Sequence, residues 1–283
     1  MTAQQTITPA LLRDWPLPEP GASKNARGRV LVVGGSRSTP GAAALAGLAA
    51  LRVGAGVLAL AVPDETVVPL AVTVPEAAVT GWSDSAEFEQ RLASADAVVV
   101  GPGIDNVTDA ARLVRVVAEN AAQPPVVLDA FALGALADVS DAARALAGRL
   151  VLTPNHAEAG ALLDAEIEET ADIDQAVGVA CRIAAEWDAV VSMYGAVATP
   201  SGSVYRPSTA GTPGLGTSGS GDVLAGALCG LLARGAELDQ ATCWASYLHA
   251  ASGDRLAARI GRLGFLAREL LDELPLVVEE LSS

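Results

Sequence analysis

Pro213-Gly214-Leu215-Gly216-Thr217-Ser218-Gly219-Ser220-Gly221-Asp222 is the stretch around which this chain is organised. An apolar-periodic segment, Asp222 to Leu232, follows directly and reads as a helix. Four glycines let the main chain turn tightly and approach a ligand with no Cβ in the way. A helix start leaves N–H groups unpaired beside the positive end of the helix dipole. Together these make an anion site, most often for phosphate. Asp222 is the odd member. It either complements the helix dipole or stands beside a phosphate because a metal or a proton transfer needs it there. The glycine-rich loop favours the second reading. Gly214 to Gly219 also matches the G-x-G-x-x-G dinucleotide pattern in form. That reading fails, because Ser208 to Thr212 is turn-like rather than a strand, and Asp222 would stand where a pyrophosphate needs neutral donors.

Outward from this loop, short apolar runs alternate with helical patterns. Arg29–Gly34, Val57–Val62, Ala97–Val100, Pro125–Asp129, Arg149–Pro154 and Ala189–Met193 read as buried strands. Pro9–Asp14, Ala42–Val53, Ser85–Ala93, Thr108–Ala122, the segment through Leu163, Asp172–Trp187, Leu238–Ala258 and Leu263–Leu274 read as helices. Val197 to Val204 reads as a hairpin around Pro200-Ser201-Gly202. This alternation predicts an α/β fold, a three-layer sandwich with a mostly parallel central sheet. Residues 1–27, punctuated by Pro16, Pro18 and Pro20, read as a lead-in packed on one domain of residues 28–283.

The totals exclude several classes. A net charge of −15, with no basic run, argues against nucleic acid or an anionic membrane as partner. Lys24 is the only lysine, which removes a Walker-type lysine and any Schiff base elsewhere. Cys181, Cys229 and Cys243 lie in apolar helical patterns at wide spacing and read as buried thiols, not a disulfide scaffold or zinc site. The longest apolar stretch, Gly41 to Leu51, is too short to span a bilayer, and no signal peptide is legible, so a cytoplasmic location is expected.

Ligands of open parallel sheets gather at the carboxyl ends of the strands. Gly35 to Gly41 after the first strand, Gly101-Pro102-Gly103 after the third and Asp129 after the fourth all stand there. Asp129 either faces a ligand or caps the following turn. His156, in the loop after Thr153-Pro154, either faces the ligand or takes a surface or capping role. His249 lies inside an apolar helix and reads as packed. No cluster of metal ligands is spaced as a cage; a magnesium ion held by phosphates and water would leave little trace.

The order Gly34-Gly35-Ser36-Arg37, Pro40-Gly41-Ala42-Ala43, Gly101-Pro102-Gly103, Leu128-Asp129-Ala130, Leu152-Thr153-Pro154 with Glu158, and Gly219-Ser220-Gly221-Asp222 resembles the NAD(P)H-hydrate dehydratase family of the ribokinase-like superfamily. The resemblance runs from about Gly28 to the last helix. It implies a ribokinase-like α/β/α fold and a repair enzyme that uses ADP (or ATP), with Mg2+, to phosphorylate and dehydrate the hydrated form of NADH or NADPH. By resemblance, Asp222 is the catalytic base. Ala42, Gly103, Asn155, His156 and Asp222 contact the damaged nucleotide. Tyr194, Gly195, Gly219, Ser220 and Gly221 contact the adenine nucleotide. The family often assembles into homo-oligomers, tetramers among them. The epimerase domain commonly fused to it finds no room in the residues before the first strand.

Three positions depart from the commoner family pattern. Phe131 stands where a second Asp usually follows Leu-Asp-Ala. Asn155-His156-Ala157-Glu158 replaces His-Pro-Gly-Glu, displacing the histidine by one. Tyr194-Gly195 replaces a Lys-Gly pair, and Ala198 a threonine. Two alternatives share the same loop and Asp222: a small-molecule kinase acting on a vitamin-type alcohol, and a degenerate member that binds nucleotide without turnover.

Overall fold

The architecture was taken from a computed structural model, which describes residues 4–83, 85–168, 172–208 and 211–282. The loop expected from Ser208 to Thr212 therefore lies partly outside the described residues. Ten strands form one sheet: β1 (Gln4–Ile7), β2 (Arg29–Val33), β3 (Val57–Val62), β4 (Ala77–Gly81), β5 (Ala97–Val100), β6 (Val126–Leu128), β7 (Leu150–Leu152), β8 (Val190–Met193), β9 (Ala196–Ala198) and β10 (Val204–Pro207). Their order across the sheet is β1-β10-β9-β8-β7-β6-β5-β2-β3-β4. Only β9 runs antiparallel to its neighbours, β8 and β10. From β2 the chain steps one way to β3 and β4, then returns to β5 on the other side of β2 and continues toward β8. The gap between β2 and β5 is thus a topological switch point, where the loops beyond the strands diverge and leave a crevice.

The helices are α1 (Pro9–Asp14), α2 (Pro40–Arg52), α3 (Val67–Thr73), α4 (Ser85–Ser94), α5 (Val107–Ala118), α6 (Phe131–Gly134), α7 (Ser140–Arg144), α8 (His156–Leu163), α9 (Ile173–Trp187), α10 (Ser220–Ala233), α11 (Leu238–Arg259) and α12 (Ala267–Ser282). The period-two alternation of the strands sorts them to two faces. Val30 and Val32 face a core shared with α2, α10, α11 and α12. Leu31 and Val33 face a second core with α4, α5 and α9. The expected three-layer α/β/α sandwich is what forms.

Some expectations shift. The lead-in supplies an unexpected edge strand, β1, whose polar Gln4-Gln5-Thr6 pairs in parallel with β10. The helix expected over Thr108–Ala122 ends at Ala118, where Asn120 turns the chain by accepting from Ala122 N. The last helix starts at Ala267, not Leu263, because Gly261 and Gly264 take positive φ (135° and 103°) and keep that segment out of the helix. It then runs through Pro275 to Ser282. Cys229 and Cys243 are buried, whereas Cys181 is only half-buried, and all three are free thiols.

Candidate active site

The glycine loop closes on α10 as the sequence suggests. Gly219, with φ 90°, is the N-cap of α10, and a Cβ there would lie 2.8 Å from Leu45 Cδ1. Ser220 N donates to Thr217 O (3.2 Å), so one of the expected anion donors is spent in the turn. Gly221 and Asp222 follow in the first turn of α10, and their N–H groups have no main-chain acceptor among the described residues. The Ser220 hydroxyl is not free either. It lies 2.8 Å from His249 Nε2, which also approaches Ser220 O at 3.0 Å. A carbonyl can only accept, which assigns the proton to Nε2. Burial pushes the His249 pKa down to about 4, so the ring is neutral. His249 is packed, as expected, yet what it packs on is the loop itself. That role was hidden in the sequence because residues 220 and 249 meet only in the fold.

A chain of contacts joins the other loops along the carboxyl edge of the sheet. Thr39 Oγ1 donates to Gly103 O (2.8 Å), and a Cβ on Gly103 would stand 2.8 Å from Ala42 Cβ. Ala42 and Gly103 therefore meet at the switch point between β2 and β5. Next along, a Cβ on Gly101 would strike Asp129 O at 1.8 Å. Asp129 is buried and accepts from Thr153 Oγ1 (2.8 Å). It does not cap α6, whose N-cap Ala130 (φ 51°) makes no side-chain cap. After Thr153, Asn155 and Glu158 form a reciprocal capping box at the start of α8. His156 is the first residue of that helix rather than part of an open loop, and it is buried. Its ring stacks on Tyr194, centroids 4.3 Å apart.

Three carboxyls share this edge. Burial first, and then the charge of Asp129, raises the Asp222 pKa to about 7. Burial and Asp129 likewise raise Glu158 to about 7, against the opposing hydrogen bond from Asn155 N. Asp129 is itself raised by burial, against the Thr153 bond. A carboxylate poised near neutrality in a cleft suits general-base chemistry. Asp129 and Glu158 were quoted in the sequence motifs but not singled out as site residues. Asp129, beyond β6, is coupled both to Glu158 on α8 and to Asp222 on α10, a meeting of three distant segments that no local pattern announces.

A cavity of about 660 Å³ opens between the β8–β9 turn and the start of α10, and Asp129, Glu158 and Asp222 are not among the residues that line it. Asn155, Tyr194, Gly195, Ser220 and Gly221 line it, with Thr212 to Thr217 as one wall and His249 and Ala250 behind. Ala42 and Gly103 lie outside it at the switch point. Gly219 and Asp222 flank it, and His156 is covered by Tyr194.

Residues 30–276 match the family model described as NAD(P)H-hydrate dehydratase. The chain belongs to this family. It is 42% identical to the ADP-dependent (S)-NAD(P)H-hydrate dehydratase of Xanthomonas campestris, over 98% of this chain and 97% of that one. It spans about half the length of a bifunctional NAD(P)H-hydrate repair enzyme from Moorella thermoacetica, 37% identical, covering 52% of that protein. Among solved structures, the ADP/ATP-dependent NAD(P)H-hydrate dehydratase of Bacillus subtilis, co-crystallized with ATP/Mg2+, superposes with a TM-score of 0.80 at 27% identity, covering 98% of both chains. A ribokinase-like superfamily protein of Enterococcus faecalis V583 superposes with a TM-score of 0.85 at 22% identity, over 99% of this chain and 96% of that one, which shows the ribokinase-like fold. Within the NAD(P)H-hydrate dehydratase family, this member keeps the glycine loop and Asp222 but carries Tyr194 where the resemblance leads one to expect lysine. No helix among the described residues is long and apolar enough to cross a membrane.

Proposed function

We propose that this chain is an ADP-dependent dehydratase of (S)-NAD(P)H-hydrate, restoring NADH or NADPH. The observation that carries the reading is Asp222. A carboxylate with a pKa of about 7 stands in the first turn of α10, beside unpaired N–H groups, in a chain of this family. Asp222 takes the proton from the added hydroxyl of the hydrate. The oxygen so freed attacks the terminal phosphorus of ADP, and AMP leaves. The Gly221 and Asp222 N–H groups face the charge spread over the transferred group. The ring nitrogen's lone pair then expels the phosphate, and loss of the neighbouring ring proton restores the dihydropyridine. Ala42, Gly103 and Asn155 are proposed for the hydrate side, whereas His156, expected there from the resemblance, is buried under the Tyr194 ring and has no open face toward it. Tyr194, Gly195, Gly219, Ser220 and Gly221 are proposed for the adenine nucleotide.

Among the described residues no three acidic, histidine or cysteine side chains converge to hold a metal. The fitting form of Mg2+ is therefore one carried in by the nucleotide phosphates and water. The Asp129 carboxyl repels both Glu158 and Asp222, and a cation arriving with the nucleotide would relieve that repulsion. Bound there, Mg2+ would neutralise phosphate charge.

Residues 28–283 are proposed as one catalytic unit, in the cytoplasm, consistent with three free thiols. A homo-oligomer, by family resemblance a tetramer, is proposed as well: Val68 and Val72 stand 71% and 78% exposed on α3, one turn apart, and an assembly would cover them. Purified protein given the hydrate with ADP or ATP should restore absorbance in the NADH band and release inorganic phosphate. Asp222→Ala should abolish this while retaining most of the nucleotide binding. No recovery with either nucleotide would sink the reading, and a stable phosphorylated product would convert it to a kinase.

A further inference from the structure

Among the described residues, no lysine or arginine lines the cavity between the β8–β9 turn and the start of α10. Sites for nucleoside di- and triphosphates commonly set a cationic side chain against the phosphates. Here the polar groups around the cavity are hydroxyls, the Asn155 amide, main-chain N–H groups and the neutral His249 ring, the apolar wall is Leu215, Leu224 and two prolines, and the one large exposed ring is Tyr194. Tyr194 stands at the tip of the turn between β8 and β9 with φ 50°, a left-handed conformation that few tyrosines adopt. Its side chain is 54% exposed and lines the cavity. One of its faces is already occupied. His156 stacks on it with the ring planes 27° apart, and His156 itself is 7% exposed.

His156 is placed oddly for a polar residue. Neither ring nitrogen has a hydrogen-bond partner among the described residues, and both are buried. Leaving such groups unpaired costs stability. The imidazole therefore stands there at a cost and acts as a flat plate beneath the phenol. A ring fixed from below loses little freedom when something planar settles on its other face, so it is ready to bind without reordering. Backbone held in an unusual region beside a cavity points the same way.

We propose that Tyr194, backed by His156, is an aromatic platform that stacks the purine of the adenine nucleotide, so that this chain grips its co-substrate through the base and not through a cationic side chain on the phosphates. This rests on reading the cavity as the nucleotide side of the site. It adds a base-specific contact that the lysine-bearing pattern does not need. It also makes nucleotide affinity only weakly dependent on salt, because no long-range ion pair with a side chain is involved.

The test is titration calorimetry with ADP and with inorganic pyrophosphate, alongside KM and kcat for ADP. Tyr194→Ala should weaken ADP binding about tenfold, the usual scale for loss of one base–aromatic stack. It should raise the KM for ADP by more than it lowers kcat, and leave pyrophosphate binding unchanged, since pyrophosphate has no base. Tyr194→Phe should restore ADP binding, and Tyr194→Leu, apolar but not planar, should not. His156→Ala should weaken ADP in the same direction, with His156→Phe restoring it. Tyr194→Lys should bind ADP with a steep salt dependence that the parent protein lacks. Unchanged ADP affinity in both Tyr194→Ala and Tyr194→Leu overturns the proposal, as does an equal loss for ADP and pyrophosphate. ADP binding that depends on Tyr194, in a protein without dehydratase turnover, would support the platform and remove the function proposed above. Failure of the parent protein to bind ADP removes the platform.

Discussion

Asp222 is one carboxyl, yet its chemistry depends on a second, Asp129. Burial alone lifts it, and the charge of Asp129 lifts it further, to about 7. Glu158 titrates in the same range for the same two causes. The measured values will belong to the cluster and not to single residues. The base must be ionised to accept a proton, so kcat/KM should rise with pH up to the neutral range and level off above it. Asp129→Asn removes one negative charge from the cluster but keeps an oxygen to accept from Thr153 Oγ1. Asp222 then ionises more readily, its pKa falls, and the acid limb of the pH–rate profile should move to lower pH. An acid limb at the same pH in the variant would show that Asp129 does not tune the base. At this scale the sequence is a partial guide. Asp222 is legible because four glycines and a helix start surround it. Asp129 carries no such surroundings, and whether it faces a ligand or a cap is decided by Thr153 on the next strand. His156 reads as an open loop residue because nothing local shows that Tyr194, many residues later, lies over it.

At the scale of elements, the site is set by how closely α2 and α10 pack. Ala42 lies in the first turn of one and Asp222 in the first turn of the other, so the distance from the switch point to the base follows from this helix pair. Small residues make the approach possible. A Cβ on Gly226 would stand 2.0 Å from Ala46 O, and one on Gly230 2.6 Å from Ala50 O. These contacts are to main chain, which cannot swing aside. Gly226→Ala should therefore push α10 off α2. Overpacking of this kind costs about 1–3 kcal/mol, more than the helix propensity gained from alanine returns. Urea denaturation should show the loss of stability, and kcat should fall with it because Asp222 moves. A variant as stable and active as the parent would mean that the pair has slack that the geometry denies. The helices themselves are legible from their apolar period, and so are the six central strands, which are near-continuous runs of valine, leucine and alanine. The short pieces are not. β4 and α3 follow a proline-interrupted stretch, and β1 is polar because it forms an edge of the sheet, so neither gives a periodic signal.

At the scale of the molecule, residues 4–20 look in sequence like a lead-in, yet in space they are part of the sheet and its covering layer. β1 adds an edge strand to β10, and Trp15 stacks on Tyr205 at 5.9 Å. Trp244 Nε1 donates to Trp15 O (3.0 Å), and Gln240 Nε2 donates to Trp15 O and Pro16 O (3.2 and 2.9 Å). Arg234 ties Pro18 O to Val53 O, joining the segment to the end of α2. Trp244 is 1% exposed and sits on α11, the helix that also carries His249 beneath the glycine loop. Removing residues 1–18 would leave the Trp244 indole N–H and the Gln240 amide without these acceptors and expose the apolar surface around them. Each donor so orphaned costs about 1–3 kcal/mol where water cannot reach it. A loss of that size lowers the melting temperature by several degrees in a chain this long. The truncated protein should melt earlier, bind a hydrophobic dye and lose ADP affinity through α11, which holds Ser220 in place. If it instead melts with the full chain and keeps its ADP affinity, the segment is an appendage after all, and the catalytic unit begins at Gly28 in energy as well as in sequence.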